Sequence, residues 1–283
     1  MCIRKLLSLI CHQPDPTPEP PPEPQEGPRL IALLFAINNY PSGTDDLNGC
    51  LNDQRDIISL LTVTYGMDKF ELRAFRDREV TRLRMITEIS AAIADLGPED
   101  TLLVHYSGHG TQVYDTDGDE GDGYDEALWL WDSDRNGPLT DDDLSLCLRK
   151  IQRGKVVLAF DSCYSGTVTR GVMMGVTQNR FHPVLPIRHT AARRLTQLRA
   201  ESKQAGIGWL AFAGCGEEQT CADAYFNGRA NGAFTYYWLH AFSPELTYGA
   251  WYKQTRVLLP NKNFEQIPEV DDRGGLLDKT VFK

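Results

Sequence analysis

Continuous apolar runs recur along the chain, each bounded by glycine or charged residues. They are RLIALLFAI (29–37), DTLLVHYSGHG (100–110), ALWLW (127–131), KVVLAFDSCYSG (155–166) and GWLAFAGCG (208–216). Runs of this kind predict strands, and the longest, 29–37, is long enough for a strand buried on both faces. FELRAF (70–75) predicts one more strand. Between the strands the apolar positions fall into helical rhythm over 51–66, ending at Gly66, and over 80–96, closed by Gly97-Pro98. Two further helices are predicted: 140–151, with Thr140 as N-cap and acidic residues in its first turn, and 230–242. Strands alternating with helices predict an α/β fold, a mostly parallel sheet covered on both faces. No internal repeat interrupts the pattern.

The start of the chain follows neither rhythm. Its first residues, MCIRKLLSLIC, have an apolar part too short for a signal peptide and no small-residue cleavage site. Residues 13–28 are rich in proline and acidic residues and predict a semi-rigid linker. The expected organisation is an arm and linker over 1–28 and one folded domain over 29–283. The net charge of −10 argues against a nucleic-acid backbone as partner, and no apolar run is long enough to span a membrane. Seven cysteines, an odd number with no CxxC pair, argue against a disulfide framework and a structural zinc site. A reducing compartment, the cytoplasm, is expected.

The chemistry concentrates where strands end. In an open α/β sheet, ligands bind outside the carboxyl ends of the strands. Three strands end in polar, glycine-containing loops: HYSGHG, DSCYSG and AGCGEEQTCADA. If these strands are parallel neighbours, the His109 imidazole and the Cys163 thiol share one rim. Together they are the parts of a cysteine nucleophile and its base, with backbone N–H groups of the glycine turns available to an oxyanion. Cys215 is a rival nucleophile on the third loop. His105, inside the strand pattern, is expected to be packed in the sheet.

YSGHG followed by DSCYSG, with GCLND (49–53) in the first helical segment, resembles the caspase-like cysteine peptidases, and the metacaspases most. The resemblance covers about residues 29–283, including the ending QIPEV…GLLDKTVF. It implies a three-layer α/β/α sandwich and a cysteine endopeptidase. Cys163 would be the nucleophile, His109 the base and acid, and the N–H groups of Gly110 and Cys163 the oxyanion hole. It also implies that Asp53, Ser107 and Asp161 line a pocket for arginine or lysine. Two carboxylates attract a guanidinium and repel an aspartate side chain, so cleavage after Arg or Lys is expected. A non-catalytic scaffold and a protease cutting after Asp are the alternatives. Substrates are expected to be proteins or peptides with basic residues, and a monomer is expected because metacaspases tend not to pair as caspases do.

Two stretches fall outside this core. Residues 115–126 read DTDGDEGDGYDE, and 141–143 are three aspartates. Clustered hard oxygens suit calcium, but Glu120 stands where an EF-hand loop needs glycine. The resemblance points instead to Asp125, Asp141 and Asp142 as calcium ligands, although Arg170 replaces a fourth ligand aspartate. A solvated acidic loop is the other reading. Residues 167–206 carry Arg170, Arg180, Arg188, Arg193, Arg194, Arg199 and Lys203 against Glu201 alone. An enzyme that prefers basic residues would find sites here, so self-cleavage between 170 and 203 is expected.

Overall fold

Strand β1 (Leu30–Ala36) is buried along its whole length, as its unbroken apolar sequence requires. The computed structural model describes residues 27–41, 46–114, 124–163, 176–182, 208–216, 219–261 and 263–283. The arm and most of the linker therefore lie outside the described residues, as does much of the basic segment 167–206.

Six strands form the central sheet. They are β1, β2 (Phe70–Arg76), β3 (Thr101–Ser107), β7 (Lys155–Asp161), β9 (Trp209–Ala213) and β12 (Glu269–Asp272). The order is β12-β9-β7-β3-β1-β2, and every pairing is parallel except that of β12 with β9. Side chains alternate between the two faces with a period of two. Ile31, Leu33 and Phe35 of β1 join Leu102, Val104 and Tyr106 of β3 in one core. That face is covered by α2 (Arg82–Asp95) and α4 (Asp141–Leu148), through Met85, Ile89, Leu144 and Leu148. Leu30, Ala32 and Leu34 join Leu103, Val157 and Phe212 on the other face. There α1 (Cys50–Tyr65), α5 (Ala233–His240) and α6 (Tyr248–Leu258) supply Ile57, Leu61, Trp238 and Trp251. The result is a three-layer α/β/α sandwich with a mostly parallel sheet. Among the described residues no helix is long and apolar enough to cross a membrane.

Two small antiparallel sheets and a short helix, α3 (Ser133–Asn136), are added to this sandwich. One sheet is β4 (Gly110–Tyr114), β5 (Tyr124–Leu128) and β6 (Leu139–Thr140). The other is β8 (Val176–Asn179), β10 (Ala222–Phe226) and β11 (Arg229–Gly232), with β10 in the middle. These sheets account for two departures from the sequence reading. The strand expected over 127–131 ends at Leu128, because the N–H groups of Trp129 and Trp131 turn aside to the carbonyls of His109 and Val80. The helix expected from 230 begins at Ala233, because Arg229–Gly232 pairs with β10 as a strand.

Candidate active site

Register alone brings the thiol and the imidazole to one rim. Strands β3 and β7 pair in parallel up to Ser107 and Asp161. His109 and Cys163 each lie two residues beyond that last pair, and both are buried. Gly110 packs so tightly on Cys163 that a Cβ there would overlap its carbonyl. The His109 backbone N–H donates to the Tyr40 hydroxyl at 2.8 Å, its carbonyl accepts from the Tyr106 hydroxyl at 2.8 Å, and the Tyr40 ring lies 4.9 Å away. The loop is thus held at both backbone groups.

Burial by itself would push the Cys163 thiol up. The Cys215 and Cys221 thiols, the Cys221 backbone N–H and the backbone of Arg180 outweigh it and hold Cys163 well below the ordinary thiol value. The Cys221 N–H reaches Cys163 Sγ at 2.5 Å. Cys215 is pushed well above the ordinary value, chiefly by its contact with Cys163. His105 sits within β3, its Nε2 3.1 Å from Thr235 Oγ1, and burial depresses it to about 3. It is a neutral, packed histidine.

The pocket beside the thiol is acidic and it is filled. Asp53 accepts from Ser107 Oγ at 2.7 Å, from Asn231 Nδ2 at 2.9 Å and from the Gly232 N–H at 2.9 Å. Asp161 accepts from the Thr235 N–H at 2.8 Å. Between them lies Arg180, fully buried. Its guanidinium pairs with Asp53 at 2.9 Å, Asp161 at 3.3 Å and Asp223 at 2.9 Å, and donates to Ser107 Oγ at 2.7 Å. Removing charges from water is costly unless each is paired and hydrogen-bonded; here the guanidinium pairs with all three carboxylates, while Arg180 Nε and Asp161 Oδ1 are buried without a hydrogen-bond partner. Gly232 makes room, since a Cβ there would overlap both Asp161 and the guanidinium. Burial, then the neighbouring Asp161 carboxylate, push Asp53 up to about 7 against the pull of Arg180.

The backbone of the same arginine lies across the rim. The Arg180 carbonyl accepts from the Gly110 N–H at 2.9 Å and from the Cys163 N–H at 3.1 Å. Upstream, β8 pairs antiparallel with β10. Downstream, the Phe181 side chain packs on the Cys163, Cys215 and Cys221 cluster, and the His182 ring stacks on Trp129 at 4.1 Å. The His182 N–H donates to the Gly110 carbonyl at 2.9 Å. An extended segment of the chain thus crosses the site as a peptide would.

A family model described as metacaspase, peptidase C14 domain, matches residues 31–171. The chain belongs to the caspase-like metacaspase family. Metacaspase-1 of Schizosaccharomyces pombe is 29% identical over 282 residues, covering 84% of this chain and 66% of that protein. Metacaspase-1 of Saccharomyces cerevisiae strain S288c is 38% identical over 145 residues, covering 48% and 33%. The chain therefore spans from a third to just under two thirds of the length of these relatives. The crystal structure of protein GSU0716 from Geobacter sulfurreducens superposes with a TM-score of 0.66 at 28% identity, over 87% of this chain and 93% of that one. Caspase-1 from Spodoptera frugiperda shares the fold, with a TM-score of 0.55 at 11% identity over 89% and 92%.

Of the residues expected to line this metacaspase pocket, Asp53, Ser107 and Asp161 come together around one guanidinium. Sequence reasoning missed Asp223, whose carboxylate also accepts the N–H groups of Asn48 and Gly49 at 2.8 and 3.0 Å. It missed Asn231 too, and it did not single out Arg180 among the basic residues of its segment. The pocket was expected to take a substrate arginine or lysine, and the chain's own Arg180, the residue after β8, fills it.

The expected calcium ligands Asp125, Asp141 and Asp142 lie close enough to act on one another electrostatically, but among the described residues only Cys163, Cys215 and Cys221 bring three ligand atoms within 4.8 Å. Asp125 lies on β5, and Asp141 and Asp142 open α4, which follows β6 of the same small sheet. Burial, then the charges of Asp142, Asp125 and Glu126, push Asp141 up to about 8. Such mutual repulsion among hard oxygens fits a calcium ion. Residues 115–123 and Arg170 lie outside the described residues.

Proposed function

We propose that this metacaspase is a cysteine endopeptidase that hydrolyses peptide bonds after Arg or Lys, with its own Arg180–Phe181 bond as one substrate. The reading rests on Arg180: its guanidinium is held by Asp53, Asp161, Asp223 and Ser107 while its carbonyl accepts from the Gly110 and Cys163 N–H groups. Side-chain recognition and carbonyl polarisation meet in one residue, as a scissile bond requires. The Cys163 thiol passes its proton to His109, and the resulting thiolate attacks the carbonyl carbon. The two N–H groups receive the oxyanion, and His109 gives a proton to the leaving amine. Water, deprotonated by His109, attacks the thioester carbon; the C–S bond breaks, the acid leaves, and Cys163 takes the proton back from His109. A buried carboxylate triad repels an aspartate side chain, which disfavours cleavage after Asp. Calcium belongs to the same proposal: Asp125, Asp141 and Asp142 would hold it, and it would neutralise their repulsion.

The test is full-length protein incubated beside Cys163→Ala, with a fluorogenic peptide panel. Wild type should yield fragments ending at Arg180 and beginning at Phe181, and cut Arg and Lys peptides only. Cleavage at another bond of 170–203 would overturn the Arg180–Phe181 assignment. Intact mass in both proteins would overturn self-cleavage, a panel cut only after Asp would overturn the Arg/Lys preference, and a panel left uncut would overturn the peptidase reading.

A further inference from the structure

Three cysteines meet at the nucleophile. Cys215 and Cys221, from the loop joining β9 to β10, lie with Cys163 so that the three sulfurs are all within 4.8 Å of one another. Cys221 Sγ is 2.7 Å from Cys215 Sγ and 3.1 Å from the Ser162 carbonyl. The backbone of Cys221 grips Cys163 Sγ from both sides, its N–H at 2.5 Å and its carbonyl at 3.1 Å. Gly214 leaves room for this approach, since a Cβ there would stand 2.9 Å from Cys221 Sγ. Hydrolysis needs one thiolate. It does not need two further thiols packed against it.

We propose that Cys163, Cys215 and Cys221 form a redox centre in which a peroxide oxidises Cys163 and Cys221 captures the product as a disulfide. The Cys163 thiolate attacks one oxygen of hydrogen peroxide, becoming a sulfenic acid and releasing hydroxide. The Cys221 sulfur then attacks the Cys163 sulfur. The S–O bond breaks, the S–S bond forms, and the Cys221 proton leaves with the hydroxyl as water. Overall, two sulfurs are oxidised by two electrons and one peroxide is reduced. The geometry suits these roles, because Cys163 Sγ meets both backbone groups of Cys221 and Cys215 Sγ stands against Cys221 Sγ, while these contacts lower the Cys163 thiol. Cys215 stands close enough to attack Cys221 by thiol–disulfide exchange and return Cys163 as a thiol. The centre keeps the nucleophile from irreversible sulfinic acid and turns it off reversibly. That the switch acts on peptide cleavage rests on the function proposed above; the sulfur chemistry does not.

The experiment treats the full chain with hydrogen peroxide, alkylates the remaining thiols and maps the peptides by mass. A Cys163–Cys221 cross-link with loss of two hydrogens, reversed by reductant, is expected. Cys50 and Cys147, also buried but outside the cluster, should stay reduced. In Cys221→Ser the cross-link should vanish and sulfinic Cys163 rise at least fivefold, with Cys221→Ala and a melting curve guarding against misfolding. Equal sulfinic acid in wild type and both variants would overturn the proposal. So would a Cys215–Cys221 disulfide that forms equally in Cys163→Ala, because Cys163 would then have no part. A cross-link in a chain that cuts no peptide would refute the peptidase reading and leave the redox centre standing.

Discussion

Three carboxylates and one guanidinium, all out of contact with solvent, set the energetics of the pocket. Removing one partner of a buried, hydrogen-bonded charge pair costs about 2–4 kcal/mol. Asp53→Asn should therefore lower kcat/KM on arginine peptides by about thirty- to a thousandfold at ~1.4 kcal/mol per decade. The same residue sets the pH response. Asp53 stands at about 7 with Arg180 beside it, and Arg180 pulls it down. Once the segment leaves, the midpoint moves to about 7 or above. A cationic side chain binds the ionised form, so kcat/KM should rise as pH climbs through that midpoint. Cys163, whose contacts hold it below the ordinary thiol value, is present in both proteins, so a limb lost in Asp53→Asn alone belongs to Asp53. A pH profile of processed enzyme should show the limb in wild type and lack it in Asp53→Asn. A wild-type profile flat across neutral pH would remove Asp53 from the account. Asp53 and Asp161 were legible in the sequence because they flank recognisable strings. Asp223 was not: its place is fixed by pairing of β10 with β8, a contact across the chain that no local pattern announces.

Strands that read as unbroken apolar runs were legible because burial on both faces leaves them no polar alternation. Elements whose form depends on distant partners were not. Arg229–Gly232 has the composition of a helix start, yet the Gly232 N–H is committed to Asp53 and the segment to β10. Helix α6 carried a signal that went unread: Thr247 caps it through Ala250 N–H at 3.2 Å. The edge strand β8 has consequences for recognition. Its pairing with β10 joins Asn179 to Ala222 and Gln178 to Asp223, just upstream of Arg180. A peptide substrate taking this course would add a strand to β10 and gain main-chain hydrogen bonds before its arginine. Each such bond contributes roughly 1 kcal/mol net. Extending an arginine amide by four residues on its amino side should thus raise kcat/KM on processed enzyme about tenfold or more. Equal rates on the short and long amides would mean that β10 does not read the substrate backbone.

At the scale of the whole molecule, the site joins parts that fold on different sheets. The central sheet supplies Cys163, while β4 begins at Gly110, the residue after His109. That strand pairs with β5, so Asp125 lies across from Val113, and β5 pairs with β6, whose end leads directly into Asp141 and Asp142. An acidic cluster in self-repulsion therefore bears on the small sheet whose first residue offers its N–H to the Arg180 carbonyl. Neutralising the cluster should steady that sheet, and leaving it charged should loosen it. Chelator should accordingly lower peptide cleavage about tenfold by relaxing roughly 1.4 kcal/mol of positioning. Calcium should restore the rate, while magnesium, which demands tighter octahedral geometry and keeps its waters, should not. Asp141→Asn should blunt the response to calcium while the Arg-over-Asp preference persists, because Asp53, Asp161 and Asp223 are untouched. Identical rates with and without chelator would leave the acidic stretch a solvated surface and place the control of Gly110 elsewhere.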